Sequence, residues 1–248
     1  VLKMAAACLS RVTLFARDPR HAALVAHRAR GERVVTVDGN DVVCIERETV
    51  SRIPLREIPL TLGGAIGFQV DNVLAAVGAA WGLGIGLDDI RTVLASFVGD
   101  IGVTPGRFNV LHHAGATVIA DYGHNPDAMG ALAEAVDRIA TGKRVVVISG
   151  AGDRRDEDIR RQTEILGDYF DEVILYQDAC QRGREDGEVI RLLRAGLEGA
   201  KRAKHVEAID GEFVAIDRGL ERLAAGDLCL ILIDQVQEAL AHLKARCG

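Results

Sequence analysis

The sequence of 248 residues predicts an α/β fold in which a mainly parallel sheet forms the second part of the chain. One observation behind this prediction is the regular alternation of short apolar segments with helix-forming segments after residue 104. Such alternation is typical of a sheet covered by helices on both faces. A second observation is a pair of charged turns, each leading from a strand directly into a helix. Since ligands of these folds bind at the carboxyl ends of the strands, we expect the functional site at those turns.

The first charged turn comprises residues 121–127, with the sequence DYGHNPD. Residues 116–120 alternate as a strand does, and Pro126 suits the first turn of the helix that follows. Unpaired backbone N–H groups at such a helix start favour anions. Asp121 and His124 are therefore candidate catalytic residues, and a structural role in the turn is the alternative for His124.

The second charged turn follows an apolar strand at 145–148 and begins with Gly150 and Gly152. These two glycines fit the start of a dinucleotide-binding motif, but Arg155 occupies the position of its third glycine. A nicotinamide or flavin site is therefore disfavoured, and a tight turn that requires glycine is the alternative.

The helix after this turn begins with the sequence DRRDED at 153–158. Acidic residues such as Asp153 are usual at a helix start, whereas Arg154 and Arg155 oppose the helix dipole. We therefore expect the two arginines to pair with an anion or with Asp121.

The remaining elements follow from the same patterns. After a Pro- and Gly-containing linker at 103–106, strands are predicted at 107–112, 117–121, 144–149, 172–176, 205–208 and 228–233. Helices are predicted at 126–140, 157–170, 186–198, 212–224 and 235–245. Before the linker, the patterns predict strands at 12–15, 33–37 and 41–45 and helices at 70–81 and 87–97.

Two amide side chains lie on the first of those earlier helices. Gln69 and Asn72 are three residues apart and therefore share one helix face. Paired amides can hydrogen-bond the edge of a purine, and simple solvation is the alternative.

Composition limits the classes of function. The net charge of −6 and the scarcity of aromatic residues argue against nucleic acid as a partner. No apolar run is long enough to span a membrane, so we expect no membrane partner. The five cysteines form no CxxC pair, so we expect no zinc site and a cytoplasmic location. The chain begins at Val1, so we expect a fragment or a processed chain.

Taken together, several segments resemble the Mur ligase family, and within it the carboxyl-terminal part of the cyanophycin synthetases. The resemblance covers nearly the whole chain. Its most specific segments are GRF at 106–108, DYGHNPD at 121–127, SGAGDRRDED at 149–158 and LYQDAC at 175–180.

This resemblance implies that residues 1–104 are the trailing part of a central ATPase domain and that residues 105–248 form a Rossmann-like domain closing over ATP. It also implies ATP-dependent amide formation, in which a carboxylate is activated as an acyl phosphate, with Mg²⁺ held by ligands mostly outside this chain. Arg107 would reach the phosphates, and Asp121 would contact the ribose or Arg107. Asn72 and Gln69 would contact adenine, although the family commonly has His-Asn where this chain has Phe-Gln at 68–69.

The cyanophycin synthetases further imply arginine and an acidic peptide polymer as substrates, and the sequence leaves a homo-oligomer open. The loop 177–185 would select the amino acid, because loops at strand ends determine specificity. A guanidinium needs a carboxylate, and Asp178 is nearest to the strand end. A solvated connector is the alternative, since Arg182 and Arg184 would repel a cation unless they turn away or bind the polymer. The expected substrate contacts are therefore Asp153, Arg154, Asp178 and Arg182.

One departure from the family is large. No GxxxxGK[ST] phosphate loop occurs in the 248 residues, so the chain alone is expected to be inactive as a ligase. A truncated paralogue that binds nucleotide or polymer without turnover is the alternative function, and a nicotinamide-dependent oxidoreductase is a third.

Overall fold

The computed structural model describes residues 2–5, 7–177 and 180–247, which form two compact units. The first unit is Val1–Val98 and the second is Gly99–Gly248. The sequence places the boundary between residues 104 and 105, and the identities of the two domains stay a prediction.

The first unit contains a four-stranded sheet with strand order β1-β2-β3-β4. Strand β1 pairs with β2 in parallel, and the other pairs are antiparallel. The strands are β1 (Leu14–Ala16), β2 (Val34–Asp38), β3 (Asp41–Glu46) and β4 (Thr49–Pro54), and the helices are α1 (Leu2–Ala5), α2 (Ala22–Ala29), α3 (Gly67–Gly82) and α4 (Leu87–Ser96).

Three elements of this unit, α1, α2 and β4, were missed by the sequence patterns. Helix α2 buries only Leu24 and His27, and no side chain caps its start, so its helical signal is weak. Strand β4 is largely exposed and contains Pro54, which obscures the alternation expected of a strand. The predicted strands β1 to β3 and helices α3 and α4 are present.

The second unit confirms the predicted α/β fold. Its six-stranded sheet has the order β5-β6-β10-β7-β8-β9, in which only β5 is antiparallel. The strands are β5 (Asn109–His113), β6 (Ala116–Asp121), β7 (Arg144–Ile148), β8 (Glu172–Gln177), β9 (His205–Asp210) and β10 (Leu228–Leu232). The helices are α5 (Pro126–Ile139), α6 (Asp156–Gly167), α7 (Glu188–Gly196), α8 (Glu212–Glu221) and α9 (Val236–Cys247).

Helices cover the central strands of this sheet on both faces. All residues of β7 and β10 are buried, as expected for strands without a solvent-facing side. Every second residue along these strands, including Val145, Val147 and Ile231, packs with α8 and α9. Helices α5, α6 and α7 pack side by side in chain order.

Strand β10 determines where the functional loops meet. Strand β10 is the last strand in the chain but lies between β6 and β7 in the sheet. The chain itself passes from β6 to β7 through α5. The carboxyl ends of β6, β10, β7 and β8 are therefore neighbours, although their loops are distant in sequence. This arrangement creates the crevice in which α/β folds bind ligands.

Within the part of the chain that the structure describes, no helix is both long enough and apolar enough to span a bilayer.

The packing of α7 against α6 gives a test of the fold. A methyl group at Gly196 would collide with the backbone oxygen of Arg160 and the hydroxyl of Thr163. We expect Gly196→Ala to lower the free energy of unfolding by about 1–3 kcal/mol, because overpacking displaces the helix. The measurement is urea unfolding followed by circular dichroism.

Gly130→Ala is the matched control for this substitution. Gly130 lies within α5, and an added methyl group there meets nothing within 4 Å. We expect a gain of roughly 0.5–1 kcal/mol from the better helix propensity of alanine. A Gly196→Ala variant as stable as the wild type would contradict the α6–α7 packing.

Candidate active site

Four loops at the carboxyl edge of the six-stranded sheet hold the polar side chains of the candidate site. These loops follow β6, β10, β7 and β8. They contribute, respectively, Asp121 with residues 122–125, Asp234, Asp153 and Arg182.

Asp121 holds the backbone of Phe108 in place, immediately before strand β5. Its carboxylate is only 7% exposed, and Oδ2 accepts a hydrogen bond from the Phe108 backbone N–H at 2.8 Å. Burial raises the pKa of Asp121, whereas the N–H groups of Phe108 and Gly123 and the charge of Arg107 act in the opposite direction. The carboxylate therefore stabilises the backbone beside Arg107, and its contact with the ribose or with the Arg107 guanidinium stays a prediction.

Arg107 is exposed and free to contact an anion. Its guanidinium carbon lies 5.8 Å from the centre of the Tyr122 ring. Among the residues that the structure describes, none forms an ion pair with Arg107. The turn that bears it is fixed from both sides, since Gly106 accepts from the Tyr122 N–H at 2.9 Å and Gly106 N–H donates to Asn109 Oδ1 at 2.7 Å.

His124 has two partners that the sequence did not reveal. Nδ1 lies 2.7 Å from the backbone oxygen of Tyr122, and Nε2 lies 3.5 Å from Oδ1 of Asp234. Since a carbonyl oxygen only accepts, the proton must be on Nδ1. The Tyr122 and His124 rings are also in contact, with centroids 4.2 Å apart. Nε2 therefore points towards a carboxylate in the crevice.

Asp234 also pairs with Arg182, one of the predicted substrate contacts. Arg182 donates through Nη2 to Asp234 Oδ1 at 2.8 Å, and its Nη1 lies 3.5 Å from Asp153 Oδ1. The Asp234 carboxylate is only 16% exposed, so this ion pair is shielded from water more than a surface pair. The structure thus brings Asp153 and Arg182 together, as a charge-compensated pair.

The two arginines at the start of α6, Arg154 and Arg155, differ in their ionic contacts. Arg155 pairs with Glu157 and, at 2.9 Å, with Asp158, so its charge is balanced within its own helix turn. Among the described residues Arg155 does not pair with Asp121, and its pairing with an anion stays a prediction. The Arg154 side chain is exposed and has no ion-pair partner within the described ranges.

Arg184 joins the loop after β8 to the loop after β7. Its side chain is 16% exposed, donates to the backbone oxygens of Gly152 and Arg154 at 2.7 Å each, and pairs with Asp156 at 2.8 Å. It also pairs with Glu188. The described part of this loop is therefore held in place by ionic and hydrogen-bonding contacts, and its role in selecting the amino acid stays a prediction.

Glycines in the loop after β7 are explained by close packing. A methyl group at Gly152 would collide with the backbone oxygen of Gln181, and one at Gly150 would lie 2.9 Å from a methyl of Val189. Both positions therefore require glycine without any nucleotide present. Asp178, the predicted reader of arginine, lies outside the described residues.

In the first unit, Gln69 and Asn72 share one face of α3 as predicted. Asn72 donates from Nδ2 to Gln69 Oε1 at 3.0 Å. Gln69 is 6% exposed, whereas Asn72 is exposed. Only the Asn72 amide is thus open to a ligand.

The sequence analysis missed three residues of this site. Asp234 follows a buried strand just as Asp121 does, so the same signal was available. Arg184 was considered only for its effect on the substrate, as a cation that repels arginine unless it turns away or binds the polymer, and not as a contact between loops. No local sequence pattern identifies Glu212 as a site residue. Its contacts are with residues 234 and 235, which are 22 and 23 positions away in the sequence.

The described residues contain no group of three or more metal-ligating side chains that could hold a metal ion.

Comparison with known proteins identifies the family. A family model described as Mur ligase, glutamate ligase domain, matches residues 106–232. The chain is 31% identical over 247 residues to cyanophycin synthetase of Trichormus variabilis, covering 99% of this chain and 27% of that protein. It is 36% identical over 132 residues to a UDP-N-acetylmuramoyl-L-alanyl-D-glutamate–2,6-diaminopimelate ligase of Geobacter sulfurreducens, covering 52% of this chain and 25% of that ligase. The chain thus spans about a quarter of the length of these curated relatives.

Solved structures support the fold. E. coli FolC in complex with ADP gives a TM-score of 0.65 at 19% identity, covering 95% of this chain and 55% of that chain. A pseudomurein peptide ligase type C from Methanothermus fervidus gives a TM-score of 0.58 at 18% identity, covering 86% of this chain and 41% of that chain. On the match of its second unit to the glutamate ligase domain, the chain belongs to the Mur ligase family.

Proposed function

We propose that this chain is part of an ATP-dependent amide ligase similar to cyanophycin synthetase, which joins arginine to side-chain carboxylates of a poly-aspartate backbone. The observation that favours this substrate class is the extent of similarity. Five cyanophycin synthetases match 98–99% of the chain, across both units, at 30–31% identity. The three diaminopimelate ligases match only 52–66% of the chain.

In the proposed reaction, an aspartate carboxylate attacks the γ-phosphate of ATP and ADP leaves. The α-amine of arginine then attacks the acyl carbon, and phosphate leaves as the amide forms. Both steps concentrate negative charge on phosphoryl oxygens, which fixed cationic groups stabilise. An exposed guanidinium without an ionic partner, as at Arg107, suits this role.

The roles of the other residues follow from their surroundings. We assign Asp121 to positioning the backbone beside Arg107 and to the ribose, and Asn72, with Gln69 behind it, to adenine. His124 is the candidate proton acceptor for the attacking amine in the state in which Nδ1 carries a proton and Nε2 does not. Arg182, Asp153 and Arg154 are assigned to the charged substrates.

Mg²⁺ and the β- and γ-phosphates need further residues. No phosphate-loop motif occurs in the 248 residues, and the described residues form no metal site. We therefore propose that the remaining ligands belong to a longer ligase in which this chain is the carboxyl-terminal part. The same missing motif supports the alternative, a paralogue that binds nucleotide or polymer without turnover. Cys8, Cys44, Cys229 and Cys247 are free thiols, which is consistent with a cytoplasmic enzyme.

The first prediction concerns the isolated chain. We expect no ADP release from the purified 248-residue chain with ATP, Mg²⁺, arginine and an aspartate polymer, because the phosphate loop is needed for phosphoryl transfer. A coupled ADP assay measures this, with a complete cyanophycin synthetase as the positive control. Release that depends on both arginine and the polymer would refute the proposal that further residues are required.

The second prediction concerns Arg107 in the complete ligase. We expect Arg107→Ala to reduce kcat by about 10²–10³-fold, because one preorganised charge contact to the transferring phosphoryl group is lost. Steady-state kinetics would measure this effect. Arg138→Ala, which removes an exposed arginine from α5, is the matched control and should retain wild-type turnover. Equal kcat values for the two variants would assign Arg107 a purely structural role.

The third prediction concerns Asp178, which we propose as the reader of the arginine guanidinium. In the complete ligase, Asp178→Asn should raise KM for arginine while KM for ATP stays nearly unchanged, because a bidentate charged pair becomes a neutral contact. Glu198→Gln removes an exposed acid elsewhere in the same unit and should change neither constant. Unchanged constants in Asp178→Asn would show that another carboxylate reads the substrate.

A further inference from the structure

Glu212 is a buried carboxylate to which no role has been assigned above. It is the first residue of α8 and is only 3% exposed. Oε1 accepts from the backbone N–H of Asp234 at 2.8 Å, and Oε2 accepts from the backbone N–H of Gln235 at 3.1 Å. The Gln235 side-chain amide donates to Oε2 as well, at 3.3 Å. The Glu212 side chain, at the start of α8, therefore holds the backbone of the loop after β10 in place.

Burying a carboxylate for a purely structural link is costly, so its position needs an explanation. Burial raises the pKa of Glu212, and the nearby charge of Asp234 raises it further, while the N–H groups of residues 234 and 235 act in the opposite direction. The site therefore contains two neighbouring carboxylates that repel each other. That repulsion disfavours any turn of the Asp234 side chain back towards its own backbone.

The direction of Asp234 is important, because this side chain links the other polar groups of the crevice. Its Oδ1 accepts from Arg182 at 2.8 Å and lies 3.5 Å from His124 Nε2. Glu212 holds the N–H groups of residues 234 and 235, so it fixes the backbone that bears Asp234, and the Asp234 side chain extends towards Arg182.

We propose that Glu212 is a positioning residue that directs Asp234 to Arg182 and His124 by supplying the acceptor for the loop's backbone N–H groups. The contribution of this arrangement to catalysis rests on the proposed function of the crevice, whereas the orientation of Asp234 does not. Loss of Glu212 should therefore have the same local consequence as loss of the Asp234 carboxylate.

The first test uses the 248-residue chain and does not depend on catalysis. NMR measures the rotation of the Arg182 guanidinium about its Nε–Cζ bond, which an ion pair slows. Glu212→Gln offers only one acceptor atom and places an NH₂ group against an N–H donor. We expect rotation in this variant to accelerate to the rate seen in Asp234→Asn, with no further change in the double variant, because both substitutions break the same contact.

Glu238→Gln is the matched control, since it removes an exposed acid from the first turn of α9. It should leave the rotation at the wild-type rate. If Glu212→Gln does not fold, Glu212→Asp keeps the charge but withdraws it by one methylene, and we expect an intermediate rate. Wild-type rotation in a folded Glu212 variant, beside fast rotation in Asp234→Asn, would overturn the proposal.

The second test uses the complete ligase. Glu212→Gln and Asp234→Asn should alter the same kinetic constant by the same factor, about 10²-fold for a misplaced contact, and the double variant should be no worse than either. If the NMR result holds but both variants turn over like the wild type, the orientation of Asp234 stands and the proposed function of the crevice fails. Independent, additive losses would instead overturn the positioning role.

Discussion

The insertion of β10 between β6 and β7 is the constraint on which the rest of the second unit depends. Because β10 is hydrogen-bonded on both sides, its loop emerges between the two charged turns that precede it in sequence. The register continues beyond the strand, where Ile233 N–H donates to the Asp121 backbone oxygen at 2.9 Å. Asp121 and Asp234 are therefore held at adjacent strand ends by the sheet itself. Side chains from four loops can then meet without long flexible segments.

The crevice shows how an acidic protein can concentrate arginines at one edge. Arg155, Arg182 and Arg184 each contact at least two carboxylates, so their charges are largely compensated in place. Arg107 differs from them, because it is exposed and lies against the Tyr122 ring. Compensation of the neighbours leaves Arg107, like Arg154, as a local source of positive potential.

Much of this architecture followed from the sequence, because each strand and helix of the second unit has a local pattern. The six strands and five helices of that unit were predicted with only small shifts at their ends, since apolar periodicity determines burial. Helix α2 and strand β4 were missed because their apolar positions are few. Among the site residues, Asp121 and His124 were found from the strand-to-helix turn, but the partners of His124 were not. Asp234 belongs to another turn, and the order of strands in the sheet cannot be inferred from local periodicity.

Glu212 illustrates why the other residues of the site could not be predicted from the sequence. Nothing in the sequence around it distinguishes it from an ordinary acidic residue in the first turn of a helix, which the helix dipole favours anyway. Its burial and its contacts depend on how α8 packs beside β10. The local partners of Arg155 were missed for a similar reason, since these acids looked like routine capping residues.

The contact between the loops after β7 and β8 has a consequence for protein engineering. Arg184 bonds two carbonyl oxygens of the first loop, and Gly152 allows the backbone of Gln181 to approach closely. Neither loop can therefore change length or course without disturbing the other. In chimaeras built between relatives, the smallest exchangeable piece is the pair of loops together with the α6 and α7 starts that follow them. Exchange of one loop alone would leave the half-buried Arg184 facing acceptors that no longer match it.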